Sequence, residues 1–161
     1  MKKHIITLVT LFFTMGVLAQ SLSTIQKDDP QLAAIDKLKD DINNNLSSFK
    51  KVERFNDKTG YHRIYYLENE LQLVSILYRD TITEKTAEWY FQRGQLIYYW
   101  QLWKDIKTND TLDYERFYLR NERLIAWLKF DNSVDRNSVV FKKLNFRMRD
   151  YIADLRRENQ R

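Results

Sequence analysis

Chemistry needs groups that bind a metal, attack a carbon or move a proton, and this chain offers few. It holds two histidines and no cysteine. His4 falls in the N-terminal leader described below, which leaves His62 alone in the body of the chain. A zinc site gathers several His or Cys ligands, so His62 reads as a strand residue, and no metal or cofactor is expected. A His-based triad would also depend on His62, and no Gly-x-Ser-x-Gly elbow supplies its nucleophile. Paired carboxylates are the remaining catalytic option, as in glycoside hydrolysis. Glu88 is the best single candidate, expected beside Tyr90 on a sheet face. Its expected neighbour is Arg116, whose charge would lower its pKa and make it a poor general acid, so a structural ion pair is the preferred reading. Asp105, Asn109, Asp110 and Asp113 cluster in one connection without the spacing of a calcium-binding EF-hand. With three glycines in all, no glycine-rich phosphate loop is present.

The leader sets the compartment. Lys2 and Lys3 precede an apolar run from Ile5 to Leu18, and Val17-Leu18-Ala19 places small residues where a signal peptidase reads. Residues 1–19 are therefore expected to be a signal peptide, cut between Ala19 and Gln20. The run is shorter than the roughly 20 residues of a spanning helix, so no membrane span is expected after cleavage. The product is expected in the periplasm or outside the cell, with a flexible leader over 20–28 and one domain over 29–161. Without cysteine it has neither disulfides nor the lipid attachment point of a lipoprotein.

The mature chain carries 25 Lys and Arg against 22 Asp and Glu, a net of +3. Residues 134–161 hold eight of the bases and four of the acids, so the basic character is local. Clustered bases suit phosphate, but Asp150, Asp154 and Glu158 interrupt these and an exported protein seldom meets nucleic acid, so none is expected as a partner. Val139 and Phe146 fall on the outer side of this segment among Lys142, Arg149 and Arg157.

The elements that position these residues follow from periodicity. Asp29-Pro30 is a helix start, with an N-cap and a proline where no N–H is needed. Leu32, Ile35, Leu38, Ile42, Leu46 and Phe49 then recur at helical spacing, which predicts a helix over 30–48. Seven strands follow, rich in Tyr, Trp, Phe, Ile and Val. Their expected ranges are 50–56, 60–67, 71–79, 85–92, 95–104, 112–120 and 123–131. Polar turns, two of them holding Gly60 and Gly94, separate these strands. Phe141, Leu144, Met148, Tyr151, Ile152 and Leu155 mark a second helix, from 135 or 138 to 158. The expected fold is α+β, a seven-stranded antiparallel meander with both helices on one sheet face.

Three stretches repeat around their turns: YLENELQL from Tyr66, YFQRGQLI from Tyr90 and YLRNERLI from Tyr118, offset by 24 and 28 residues. YFQRGQLI resembles the core of MORN-like hairpin repeats, over about eight residues in each of the three copies. Only the Tyr90 copy carries the turn glycine. The resemblance implies a binding or scaffolding role, and no catalytic residue carries over with it. The cysteine-free leader and the Tyr- and Asn-rich body are also similar in style to small exported proteins of the Bacteroidota.

Unbroken alternation would put Tyr65, Val74, Trp89, Phe91, Tyr98, Trp100, Phe117, Leu119 and Leu128 on a core face. The second face would mix aromatics with charges. Tyr90, Tyr99, Trp103, Tyr118 and Trp127 there, with Phe146 on the basic helix, are the expected contact residues, since such side chains offer rigid area with a polar tip. The leading expectation is a non-enzymatic protein that binds a protein, peptide or glycan. A carrier of a lipid or other apolar ligand is one alternative. An enzyme acting on an envelope polymer through Glu88 is the other.

Overall fold

An aspartate before a proline starts the first helix as its chemistry requires. The Asp29 carboxylate accepts from the Gln31 N–H at 2.9 Å, and α1 runs Pro30–Asn44. The computed structural model describes residues 29–56 and 60–159; the expected signal peptide and leader lie outside them. Three asparagines in succession, poor helix formers, end α1 short of the expected 48, and a 3₁₀ turn at Leu46–Ser48 leads into the sheet.

The strands are β1 (Lys50–Asn56), β2 (Gly60–Leu67), β3 (Glu70–Arg79), β4 (Thr83–Gln92), β5 (Gln95–Asp105), β6 (Thr111–Arg120), β7 (Arg123–Lys129) and β8 (Asn132–Ser133). They form one antiparallel sheet in chain order. The count is eight, one more than expected. Phe130 and Asp131, expected inside the seventh strand, both take positive φ (46° and 63°) and turn the chain into the two residues of β8. α2 spans Val139–Asn159, and the Ser138 hydroxyl caps it by accepting from the Phe141 N–H.

Three further two-residue turns have both central φ positive, the geometry of type I′ hairpins. They are Glu68-Asn69, Arg93-Gly94 and Asn121-Glu122. In each hairpin the register slips by one residue just after the turn: Tyr65 pairs with Leu73 and Tyr66 with Leu71; Tyr90 with Tyr98 and Phe91 with Leu96; Tyr118 with Ala126 and Leu119 with Leu124. The bulged residues are Gln72, Ile97 and Ile125. The repeat is real, but its structural counterparts are Tyr65, Tyr90 and Tyr118. The first offset is therefore 25 residues, one more than the alignment on Tyr66 gave.

The bulges also re-sort the faces, because one inserted residue reverses the alternation beyond it. Trp89 and Tyr90 are neighbours in β4 and lie in different cores. Ile64, Val74, Trp89, Phe91, Tyr99 and Phe117 pack with Phe141, Met148, Ile152 and Leu155 of α2. Leu73, Tyr90, Tyr98, Tyr118 and Ala126 pack with Leu32, Ile35 and Ile42 of α1. The helices thus cover opposite sheet faces, which corrects the single-face expectation. The physical reason is visible in β5, where Leu96 to Tyr99 are buried in succession. A strand covered on both sides needs no polar face.

Candidate binding groove

β1 is an edge strand, paired only with β2 among the described residues. Alternation aims Lys50, Val52 and Arg54 to the α2 side of the sheet. There the sheet and the C-terminal end of α2 enclose a recess of about 590 Å³. Val52, Tyr66, Leu71 and Phe91 form its apolar floor, while Lys50, Arg54, Arg93 and Arg156 stand around it against one acid, Glu70. Its size suits a small-molecule or side-chain pocket. The Arg156 guanidinium donates to the Gly94 carbonyl and pairs with the Glu122 carboxylate, which fixes α2 to the β4–β5 and β6–β7 turns. The four cations of this wall outnumber its one acid, so its potential favours an anionic group.

On the other side of β1, Glu53 pairs with Lys51 at 3.0 Å and with Arg63 at 3.6 Å. Hydrogen bonds from Tyr61 and Lys51 hold its carboxyl below the usual range. The next residue on that side, Phe55, is 71% exposed.

The expected contact residues do not form one surface. Tyr90 and Tyr118 are buried beneath α1, at 1% and 2% exposure. The Tyr90 hydroxyl donates to the Glu88 carboxylate at 2.5 Å, and the Tyr118 hydroxyl donates to Asp36 at 3.2 Å. Tyr99 is buried on the α2 side, stacked between Trp89 and Phe117 with ring centroids 4.9 Å from each. Trp127, half-buried, closes this four-ring ladder at 5.7 Å from Phe117. Trp103, also half-buried, lies lower on the same face with the Lys85 ammonium 4.9 Å above its ring. Burial lowers the Lys85 pKa, and Glu115 opposes that shift. Phe146 stands outward on α2, 77% exposed. The three tyrosines, expected on an open face, are buried because a helix packs on each side of the sheet and draws them into the two cores.

Glu88 also departs from its expected setting. It accepts from the Trp100 indole N–H at 2.8 Å as well as from Tyr90, while Arg116 pairs with Asp131. Burial, then the neighbouring Glu88 charge, raises the Tyr90 pKa. Beyond these partners, a chain of hydrogen bonds runs on the α2 side from Tyr99 through Gln101 to the buried Glu115, which Lys129 approaches at 3.7 Å. Among the described residues, no group of three or more His, Asp or Glu is placed to hold a metal, and no helix is long and apolar enough to cross a membrane. A smaller recess of about 310 Å³ lies at the C-terminal end of α1, with Asp41, Asn45, Gln72 and Gln92 among its lining.

The groove escaped the sequence reading, although its trace is there. Lys50, Val52 and Arg54 alternate base, apolar, base along a short strand. No family model, curated protein or solved structure matches this chain.

Proposed function

We propose that this chain is an exported, non-enzymatic binding protein, working in the periplasm or outside the cell, that receives an extended acidic segment of a partner protein along β1. The observation that carries the reading is the groove: an apolar floor, four cationic side chains and one acid, beside a strand whose outer edge is open among the described residues. Strand addition at such an edge draws affinity from backbone hydrogen bonds and specificity from alternate side chains. An incoming strand would present every second residue to the groove, as β1 itself does. Apolar residues there would meet Val52 and acidic ones Lys50 and Arg54, while Arg93, beyond β4, adds positive potential from the far wall of the recess. The same bases oppose edge-to-edge pairing of two copies, since like charges guard an exposed strand. The export half of the reading rests on the leader pattern of residues 1–19.

Fluorescence anisotropy of a labelled peptide alternating Glu and Leu tests the groove. The parent binds it, a Lys/Leu peptide of equal length does not bind, and Lys50→Glu/Arg93→Glu loses the interaction. Equal binding of both peptides, or full binding by the double variant, overturns the reading.

A further inference from the structure

The outer face of α2 raises a separate question, independent of the groove. A helix packed against a sheet usually turns charges of both signs to water. The first three turns of α2 do otherwise. Val139 and Phe146, seven residues apart and therefore on one line of the helix, are 66% and 77% exposed, and Val140 beside them is 59% exposed. Phe146 is the most exposed large apolar side chain among the described residues. Lys142, Lys143, Arg147 and Arg149 surround it, and none of the four forms an ion pair among the described residues. One acid, Asp150, shares this face; Asp154, farther along, is engaged by Arg157 at 3.4 Å.

We infer that this face docks on an anionic lipid surface. The pattern is that of an interfacial helix: apolar side chains that enter the headgroup boundary, bases that meet the lipid charge, and too few apolar residues to span. The fold contributes rigidity. Phe141, Met148, Ile152 and Leu155 fix the opposite side of α2 to the sheet, so the outer face is held ready and no helix has to form on binding. A soluble acidic protein would satisfy the bases but leave Phe146 and the valines without an apolar phase. A lipid surface satisfies both.

The chain has no cysteine, so one introduced cysteine takes a label uniquely, and the whole chain can be used. Val140→Cys carries an environment-sensitive fluorophore on the proposed face. Ile82→Cys, in the β3–β4 connection, carries it elsewhere. The expected result is a blue shift at position 140 alone, on vesicles of phosphatidylglycerol in phosphatidylcholine. Phosphatidylcholine alone gives none, and added salt reverses the shift as screening grows. In the Val140→Cys background, Phe146→Ala raises the lipid concentration for half-saturation about tenfold. Lys142→Glu raises it at least fivefold. Phe146 belongs to neither core, so the variant keeps the parent thermal melt, which is measured alongside. A shift at both labels or at neither, equal response to neutral vesicles, or indifference to Phe146→Ala overturns the inference. An equal shift with soluble polyglutamate overturns it in favour of an acidic protein partner.

Discussion

The Tyr118 hydroxyl, in the middle of the sheet, donates to the Asp36 carboxylate of α1 from 3.2 Å. It is one of two such bonds from the tyrosine row to the first helix; the Asn43 side chain lies 3.1 Å from the Tyr90 hydroxyl. Around them the interface is mainly apolar, with Leu32, Ile35 and Ile42 laid on Leu73, Tyr98 and Ala126, while Arg120 donates to Gln31 and the Lys39 ammonium lies over the Tyr98 ring. The hydroxyls thus belong to a small set of directional contacts that place α1 along the sheet.

Tyr118→Phe removes this bond and keeps the ring. Urea unfolding should show a loss of about 1 kcal/mol, the ordinary value for one hydrogen bond. Asp36→Ala should cost somewhat more, since it also removes the Lys39 ion pair at 3.5 Å, and the double variant should cost little more than Asp36→Ala alone, because the Tyr118 bond is common to both changes.

The ring ladder from Trp89 through Tyr99 and Phe117 to Trp127 occupies four neighbouring strands. Phe117→Ala opens a cavity in its middle and should cost roughly 3–5 kcal/mol. Phe117→Leu should cost less in denaturant but lose the near-ultraviolet circular dichroism of the stacked rings. Equal effects of the two changes would show that ring stacking contributes nothing beyond volume.

Gly60 and Gly94 both have positive φ but differ in surroundings. A Cβ on Gly60 would stand 2.4 Å from the Leu77 carbonyl oxygen, whereas one on Gly94 meets nothing within 4 Å. Gly94→Ala should lower stability by about 1 kcal/mol through strain alone. Gly60→Ala adds a clash with backbone and should cost clearly more, read as a larger drop in the denaturation midpoint.

Burial raises the pKa values of Tyr90, Tyr98, Tyr99 and Tyr118 above their ordinary 10.0. A group with a raised folded pKa gives stability that is complete below its unfolded value and is lost as pH rises through the folded one. The protein should therefore lose stability as pH climbs past 10. Tyrosinate absorbance from the buried rings should appear together with loss of far-ultraviolet dichroism. Tyrosinate signal from these four without unfolding would show that they are open to solvent.

The element order was legible because its punctuation is chemical. Asp29-Pro30 starts a helix, and Gly94 and Asn121 each stand in a turn, where the sequence placed them. The bulges were not legible. Nothing distinguishes Gln72, Ile97 or Ile125 as inserted residues, yet each reverses the faces beyond it, and with that the sorting of Tyr65 against Trp89 failed. Phe130 in a type I′ turn has no sequence mark either, since that position favours Asn or Gly. Opposed helices could have been read from the unbroken run Leu96 to Tyr99, which leaves neither side of β5 for water. The candidate groove needed tertiary information: Arg93 and Arg156 meet β1 only through the order of the sheet.

Because β1 to β8 pair strictly in chain order, every strand finds its partner a few residues upstream. Such local pairing makes for low contact order, which favours fast folding among sheet proteins. A chain delivered from its N-terminus can add hairpin to hairpin as it arrives. Most strand edges are then capped within one hairpin's length of synthesis, and among the described residues open edges are left only at the two ends of the sheet, along β1 and along β7 beyond the two residues of β8.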